Sequence, residues 1–444
     1  MIYAGVDSSA EKYIMPHLSG LRDASRGGLV GDIVLLIDRV KGAGRDRKAL
    51  GANFDDTRLF RLGQGRWERV GGGQEFPEIT LTSTFEANTG DPQTLRKFIR
   101  FAKRSFPARR YALILFGHGE SRSVCPDVSS PCADSGEWED PLFVAEISEG
   151  LTHEDAVDVL WVDVCSFGGI ENAYQYRPGP GRFSAKVMLA TPPLSIPAPF
   201  ARVLECCGLL GKEKDRRPLV NSAETFGLAA LRAIEERLKE RLRDGQKVHR
   251  ESWGLYDLNR ADAAKKAVDR LAVAIDRTGA RAVVEELRGG GLDAATLNYS
   301  YRGDPLQWVI SAHFDLFDLA GRIADDDRLS EDVRMRAIEV MREVDSMVID
   351  SFAMPGFREF QPGRNGIYIV FPGSLAEIGG EPVWKSFRWF HPFDQRKVKT
   401  AFGLYDWCRD GATPGNGQVE NWFELLDAWL DVNDDVGGFN EYRR

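Results

Sequence analysis

Residues 111–120 read YALILFGHGE, and residues 158–169 read DVLWVDVCSFGG. Each is an almost unbroken apolar run that ends in a reactive side chain set near glycines. Runs of this length and composition predict strands buried on both faces, as in a parallel sheet covered by helices. The strands are placed at Tyr111–Phe116 and Val159–Val164. The first leads into Gly117, His118 and Gly119, and the second into Cys165, followed by Gly168 and Gly169. Open α/β sheets gather ligands at the carboxyl ends of their strands, so His118 and Cys165 meet on the functional rim if the two strands are neighbours.

Outward from this pair, further strands are predicted at Ile2–Gly5, Asp32–Ile37, Arg58–Leu62 and Lys186–Ala190. Ahead of Tyr111 stands a well-marked helix start, with Asp91 as N-cap, Pro92 at the first helical position and an apolar stripe of Leu95, Phe98, Ile99 and Ala102. Strands alternating with helices indicate an α/β sheet flanked on both faces. The polar stretch Glu120–Trp138, rich in Ser, Pro and Asp, predicts a mobile surface loop, and Arg177–Arg182 a second loop. Helical patterns then dominate, at Ser222–Leu242, Arg260–Arg277, Asp315–Ile323 and Glu331–Phe352, with a helical tail near Glu420–Leu430. The expected organisation is a catalytic α/β domain over residues 1–218 and a mostly helical portion over 219–444, to which a strand returns near 366–371.

Composition narrows the function. The 444 residues carry a net charge of -9, from 67 acidic and 58 basic residues interspersed along the chain, so no basic field is available for nucleic acid. The opening MIYAGVDSSAEKY has no basic segment followed by an apolar run, and no stretch of about 18 apolar residues occurs, so neither export nor a membrane span is expected. Six cysteines in so long a chain are too few and too irregular for a disulfide framework, and a cytoplasmic location is expected. Without paired CxxC motifs or HExxH, no metal site is expected from motifs. Oligomeric state is not encoded in these features.

A thiolate nucleophile needs a base to ionise it, and imidazole titrates near neutral pH. Of six histidines, His118 alone follows a buried-looking strand and sits between two glycines. Taken singly, His118 fits an ordinary strand-end turn and Cys165 an inert core thiol. Together they form a Cys/His pair on one rim. The backbone N–H groups of Gly119 and Cys165 are the natural oxyanion donors, and a helix beginning near Gly168 would add its N-terminus if it faced the thiol.

The segments TGDPQTLRKFIRFAKRSFPARRYALILFGHGE (Thr89–Glu120) and DVLWVDVCSFGGIENAYQY (Asp158–Tyr176) resemble the two signature segments of the clostripain family of caspase-like cysteine peptidases. MIYAGVDS, SWGLYDLNRADAAKKAV (taken as a helical segment), HFDLFDLAGRIA and NGIYIVFP extend the resemblance over nearly the whole chain. It implies a caspase-like, mainly parallel sheet flanked by helices and endopeptidase activity on protein or peptide substrates through a thioester. It implies a dyad without an obligatory third member, Cys165 as nucleophile and His118 as base. Asp163, in the family's D-x-C position, would lie beside the S1 pocket and favour a basic P1 residue. One departure stands out: Ala190–Phe200 reads ATPPLSIPAPF, without the carboxylates common there, so that preference would rest on Asp163 alone. Glu120-Ser121-Arg122 also replaces the usual continuation after the His-Gly pair. Some members cleave themselves and some depend on calcium. Arg122 is the self-processing candidate, while Asp134, Glu137, Glu139 and Asp140 lack the ordered spacing of a calcium loop, so no cofactor is assigned. The alternative is a catalytically silent caspase-like binding protein. A nucleotide-binding α/β fold is disfavoured because GHGE lacks a GxGxxG or Walker pattern.

Overall fold

The computed structural model describes residues 1–42, 47–120, 123–130, 140–210, 219–248, 250–289, 296–299, 312–357, 359–373, 377–378, 381–382, 405–413 and 416–430. Two compact units emerge: Met1–Cys165 with Pro178–Ala190 and Ser195–His249, and Ser166–Arg177 with Thr191–Leu194 and Arg250–Arg444. Residues 219–248, expected with the helical portion, therefore lie in the first unit, mainly as the helix Ala223–Arg243.

In the first unit the strands are β1 (Ile2–Val6), β2 (Val34–Arg39), β3 (Thr57–Gly63), β4 (Arg66–Val70) and β5 (Ala112–Gly117). A short set follows, β6 (Gly119–Glu120), β7 (Ser123–Asp127) and β8 (Asp140–Phe143), and then β9 (Val159–Asp163) and β10 (Val187–Ala190). The unit's main sheet runs in the order β10-β9-β5-β1-β2-β3-β4. From β10 to β2 all neighbours are parallel, while β3 and β4 fold back antiparallel at the edge. β1, β2, β9 and β10 are buried at every position, which is why their sequences are continuously apolar rather than alternating. The architecture is the expected caspase-like, mainly parallel sheet flanked by helices.

The helix Pro92–Ser105 starts where its local signal places it, with the Asp91 carboxylate accepting the Gln93 N–H. Its apolar stripe is buried, and Phe98 meets Tyr3 of β1 with ring centroids 5.9 Å apart. Leu95, Phe98 and Ile99 each contribute about 1.5–3 kcal/mol by burial, so the stripe holds the helix to the sheet despite its many charged positions.

The order of the strands selects where chemistry can occur. The chain passes from β1 outward to β2, then returns to the other side of β1 with β5 and continues to β9 and β10, so the topology reverses between β1 and β5. In open α/β sheets such a switch point is where ligand sites form, beyond the carboxyl ends of the strands. Gly5 lies opposite Gly117 there. A Cβ on Gly5 would fall 2.5 Å from that of Cys125, and one on Gly117 would fall 2.6 Å from the Gly5 carbonyl oxygen. Bare backbone is thus required for the β6–β7 hairpin to lie against the sheet.

Over its described residues, 120 and 123–130, that hairpin corrects the expectation of a mobile loop at Glu120–Trp138. Within it Ser123, Val124, Cys125 and Asp127 are buried, and β7 pairs with β6 and β8. The segment's polar composition conceals the buried Val124 and Cys125, the latter seated against Gly5 and Gly117. Arg122, Asp134, Glu137 and Glu139 lie outside the described residues.

The second unit contains β11 (Ser252–Asp257), β12 (His313–Asp315), β13 (Val348–Ala353) and β14 (Tyr368–Val370), among the helices Ala261–Thr278, Leu316–Asp325 and Glu331–Met347. β11 pairs antiparallel with β13, and β12 with β14. The helix expected over Glu331–Phe352 therefore ends at Met347, and the SWGLYD segment taken as helical is β11. Both are rich in β-branched or aromatic residues, and mutual pairing decides them as strands. Ser166–Arg177 is anchored in this unit, where Tyr368 N–H donates to Gly168 O and Val370 N–H to Glu171 Oε1. No helix among the described residues is long and apolar enough to cross a membrane.

Candidate active site

β5 and β9 are adjacent and parallel, with Phe116 opposite Asp163. His118 and Cys165 each follow this pair by two residues, just beyond the carboxyl ends of the two neighbouring strands. Asp163 ends β9 and Cys165 lies in the turn that follows it, and both reach the same segment. That segment is residues 195–198: Cys165 Sγ lies 3.9 Å from the Ser195 carbonyl oxygen, and the Ala198 N–H donates to Asp163 Oδ2 at 3.0 Å.

His118 is held by two elements. Its Nε2 lies 2.8 Å from Ser9 Oγ, and its carbonyl accepts the Cys125 N–H at 2.9 Å. Ser9, just beyond β1, was not singled out from the sequence. The available signal was that the first strand, IYAGV, would end on the same rim as the His strand, placing DSS beside it.

Cys165 is half-buried, whereas Cys125, whose N–H donates to the His118 carbonyl, is fully buried and its thiol is pushed up to about 12 by that burial. A thiol so disfavoured as an anion remains protonated and is a poor nucleophile.

Gly119 faces Val124 in the hairpin. Since the neighbouring carbonyl of His118 bonds to Cys125, antiparallel alternation makes Gly119 and Val124 a non-hydrogen-bonded pair, and the Gly119 N–H points away from β7. A Cβ on Gly119 would fall 2.5 Å from Val164 Cγ2, so glycine is also what lets this turn approach the end of β9. The expected help from a helix near Gly168 is not found. The helix begins at Ile170 and has only 6 residues, and the N–H groups ahead of it are spent within the second unit: Ser166 on Pro193 O, and Phe167 and Gly168 on Thr191 O.

Asp163 is only 3% exposed, and its Oδ1 has no hydrogen-bond partner among the described residues. Burial pushes its carboxyl up to about 7, against the smaller lowering effect of the Ala198 N–H. Ala190–Phe200 supplies no second carboxylate, only the Ser195 carbonyl and the Ala198 N–H described above.

A model of the clostripain family matches residues 2–429. The chain belongs to the clostripain family. Clostripain of Hathewaya histolytica is 32% identical over 475 aligned residues, a span of 100% of this chain and 89% of that relative. An inactive zymogen C11 protease from Parabacteroides distasonis has a similar fold, at a TM-score of 0.57 and 15% identity, covering 90% of this chain and 96% of the other. So does a secreted C11 cysteine protease from Bacteroides thetaiotaomicron, solved with an irreversible peptide inhibitor, at a TM-score of 0.54 and 12% identity over 90% of this chain and 98% of the other. The clostripain-family chain is therefore a cysteine endopeptidase acting on proteins or peptides, and the silent binding protein gives way to it.

In this clostripain-family peptidase, Ser9→Ala removes the hydroxyl that holds His118 Nε2. A lost orienting hydrogen bond of about 0.5–1.5 kcal/mol predicts a kcat about 3- to 10-fold lower with KM little changed. Steady-state kinetics check this, and Ser9→Thr, which keeps the hydroxyl, is expected to restore most of the rate.

Proposed function

We propose that this peptidase cleaves after basic residues with Cys165 and His118 as its dyad. His118 Nδ1 takes the proton of the Cys165 thiol, and the sulfur attacks the scissile carbonyl carbon. The N–H groups of Gly119 and Cys165 stabilise the oxyanion. The amide C–N bond breaks as His118 protonates the departing amine, leaving a thioester. His118 then deprotonates a water that attacks this thioester, and the C–S bond breaks to release the acid product and the thiol.

The observation that supports the dyad is that β5 and β9 are parallel neighbours with Phe116 paired to Asp163, each two residues ahead of His118 and Cys165. The basic P1 preference is supported by the bare Asp163 Oδ1, a buried carboxylate oxygen lacking a cation. An Arg or Lys side chain supplies that charge, and an unpaired charge in so dry a place is otherwise strongly unfavourable.

A peptidyl electrophile with arginine at P1, followed by mass spectrometry, tests the assignment. Labelling is expected on Cys165, abolished in His118→Ala, and at least about tenfold slower with alanine at P1. Modification centred on another cysteine, or labelling indifferent to His118, rejects the dyad.

A further inference from the structure

The first unit also holds a cavity of about 380 Å³. Tyr111 and Asp158, which directly precede β5 and β9, belong to its wall, so it lies toward the amino ends of the strands whose carboxyl ends lead to His118 and Cys165. Its floor is a row of paired residues, Ile2 of β1, Ile114 of β5 and Trp161 of β9. Positions paired across a sheet project to one face. Leu21, Phe200 and Phe226, from three different helices, complete the apolar wall.

The space reaches the middle of the sheet. Ile114 is 7% exposed although it sits mid-strand, whereas Leu113 and Leu115 beside it are at 0% and 1%. A volume of this size falls within the range of about 300–1,000 Å³ typical of small-molecule sites.

Two polar groups of the wall are uncommitted. Trp161 is fully buried, and its ring is fixed edge-on against Phe200 at 5.4 Å between centroids, yet its Nε1–H has no hydrogen-bond partner among the described residues. An indole N–H only donates, and a buried donor left bare is costly, so the floor calls for an acceptor oxygen. Arg110 is exposed in the wall and forms no ion pair among the described residues. The wall's two carboxylates are already engaged, Asp32 with Arg61 at 2.8 Å, and Asp158 with Lys186 and the Tyr111 N–H, each at 2.8 Å. The positive end of the helix Ala223–Arg243 also meets the wall, at Ser222 and Ala223.

We infer that this cavity binds an amphipathic medium-chain carboxylate with a carbonyl oxygen near its far end, as in an oxo-fatty acid or the half-ester of a dicarboxylic acid. The carboxylate pairs with Arg110, the methylene chain lies over Ile2 and Ile114, and the carbonyl accepts the Trp161 N–H. The charged group stays at the solvent edge, because an anion buried without a partner is strongly disfavoured. Arg110 stands four residues ahead of Ile114, a span of at most about 14 Å, which a chain of about ten carbons matches. The site is separate from the dyad and does not depend on it. Its residues come from distant segments, so no local motif announces it.

The test uses the full chain with Cys165→Ala, which has no thiol at that position to attack an ester, titrated with monomethyl sebacate by calorimetry. Saturable binding is expected, with a Kd of about 10⁻⁵–10⁻³ M and a matching rise in melting temperature. Decanoic acid, which lacks the inner carbonyl, and methyl 10-hydroxydecanoate, which lacks the charge, are each expected to bind about 3- to 10-fold more weakly. Trp161→Phe is expected to erase the preference over decanoic acid, and Arg110→Ala the preference over the uncharged ester. Absence of saturable binding up to about 10 mM, or a preference unchanged in either variant, overturns the site. Should Trp161→Phe fail to fold, the exposed Arg110→Ala decides alone, and an unchanged preference for the charged ligand then rejects the proposal.

Discussion

Replacing Cys165 with alanine is expected to lower kcat/KM for peptide cleavage by about 10⁴-fold or more while leaving the fold intact. The magnitude follows from the chemistry: without the sulfur there is no thioester path, and the remaining oxyanion donors and binding contacts sustain only a small residual rate. The fold survives because the side chain is half-buried at a strand end, outside the fully buried core of β9. Losing a small, partly exposed group costs about 1 kcal/mol or less. Kinetics on a fluorogenic peptide, alongside far-ultraviolet circular dichroism and thermal melting, separate the two effects. Cleavage that persists in a well-folded variant removes Cys165 as the nucleophile. Cys125 is a poor replacement, because burial pushes its thiol up to about 12.

Asp163→Asn should move activity and stability in opposite directions. For substrates with arginine or lysine at P1, kcat/KM is expected to fall about 10²- to 10³-fold, the usual consequence of leaving one charge of a buried pair alone. The stability effect follows from the carboxyl being held at about 7 in the folded protein against an ordinary value of 3.8. A raised pKa means that the native state holds a proton the unfolded chain releases. Its stabilising contribution is therefore full below 3.8 and declines until the pH passes about 7. Asparagine undergoes no such decline. The variant is thus expected to match the parent near pH 4 and to exceed it by about 1–3 kcal/mol at pH 8, the upper range being reduced because its amide N–H group inherits the place of the unpartnered Oδ1. Melting curves at both pH values measure this, and a difference that does not change with pH contradicts it. A stability gain at the expense of basic-P1 cleavage is the pattern expected of a carboxylate kept for binding.

Much of this was legible in local sequence. Tyr111–Phe116 and Val159–Val164 lie within one residue of β5 and β9, since strands buried on both faces must be apolar throughout. The Asp91-Pro92 start was equally readable, because a cap is satisfied within a few residues of itself. Other elements were misread for lack of a local signal. β13 continues a helical pattern with no proline or glycine to end it, and becomes a strand only by pairing with β11. β7 hides in a polar stretch, its burial depending on Gly5 and Gly117 from elsewhere in the chain.

By itself, the sequence determined the sheet class, the two reactive side chains at strand ends, and the carboxylate two residues before Cys165. Only the tertiary structure decided that β5 and β9 are neighbours with Phe116 level with Asp163, that Ser9 reaches His118, and that Ile2, Ile114 and Trp161 converge on one cavity. Periodicity and caps act over a few residues, whereas register and convergence depend on which distant strands exclude water together.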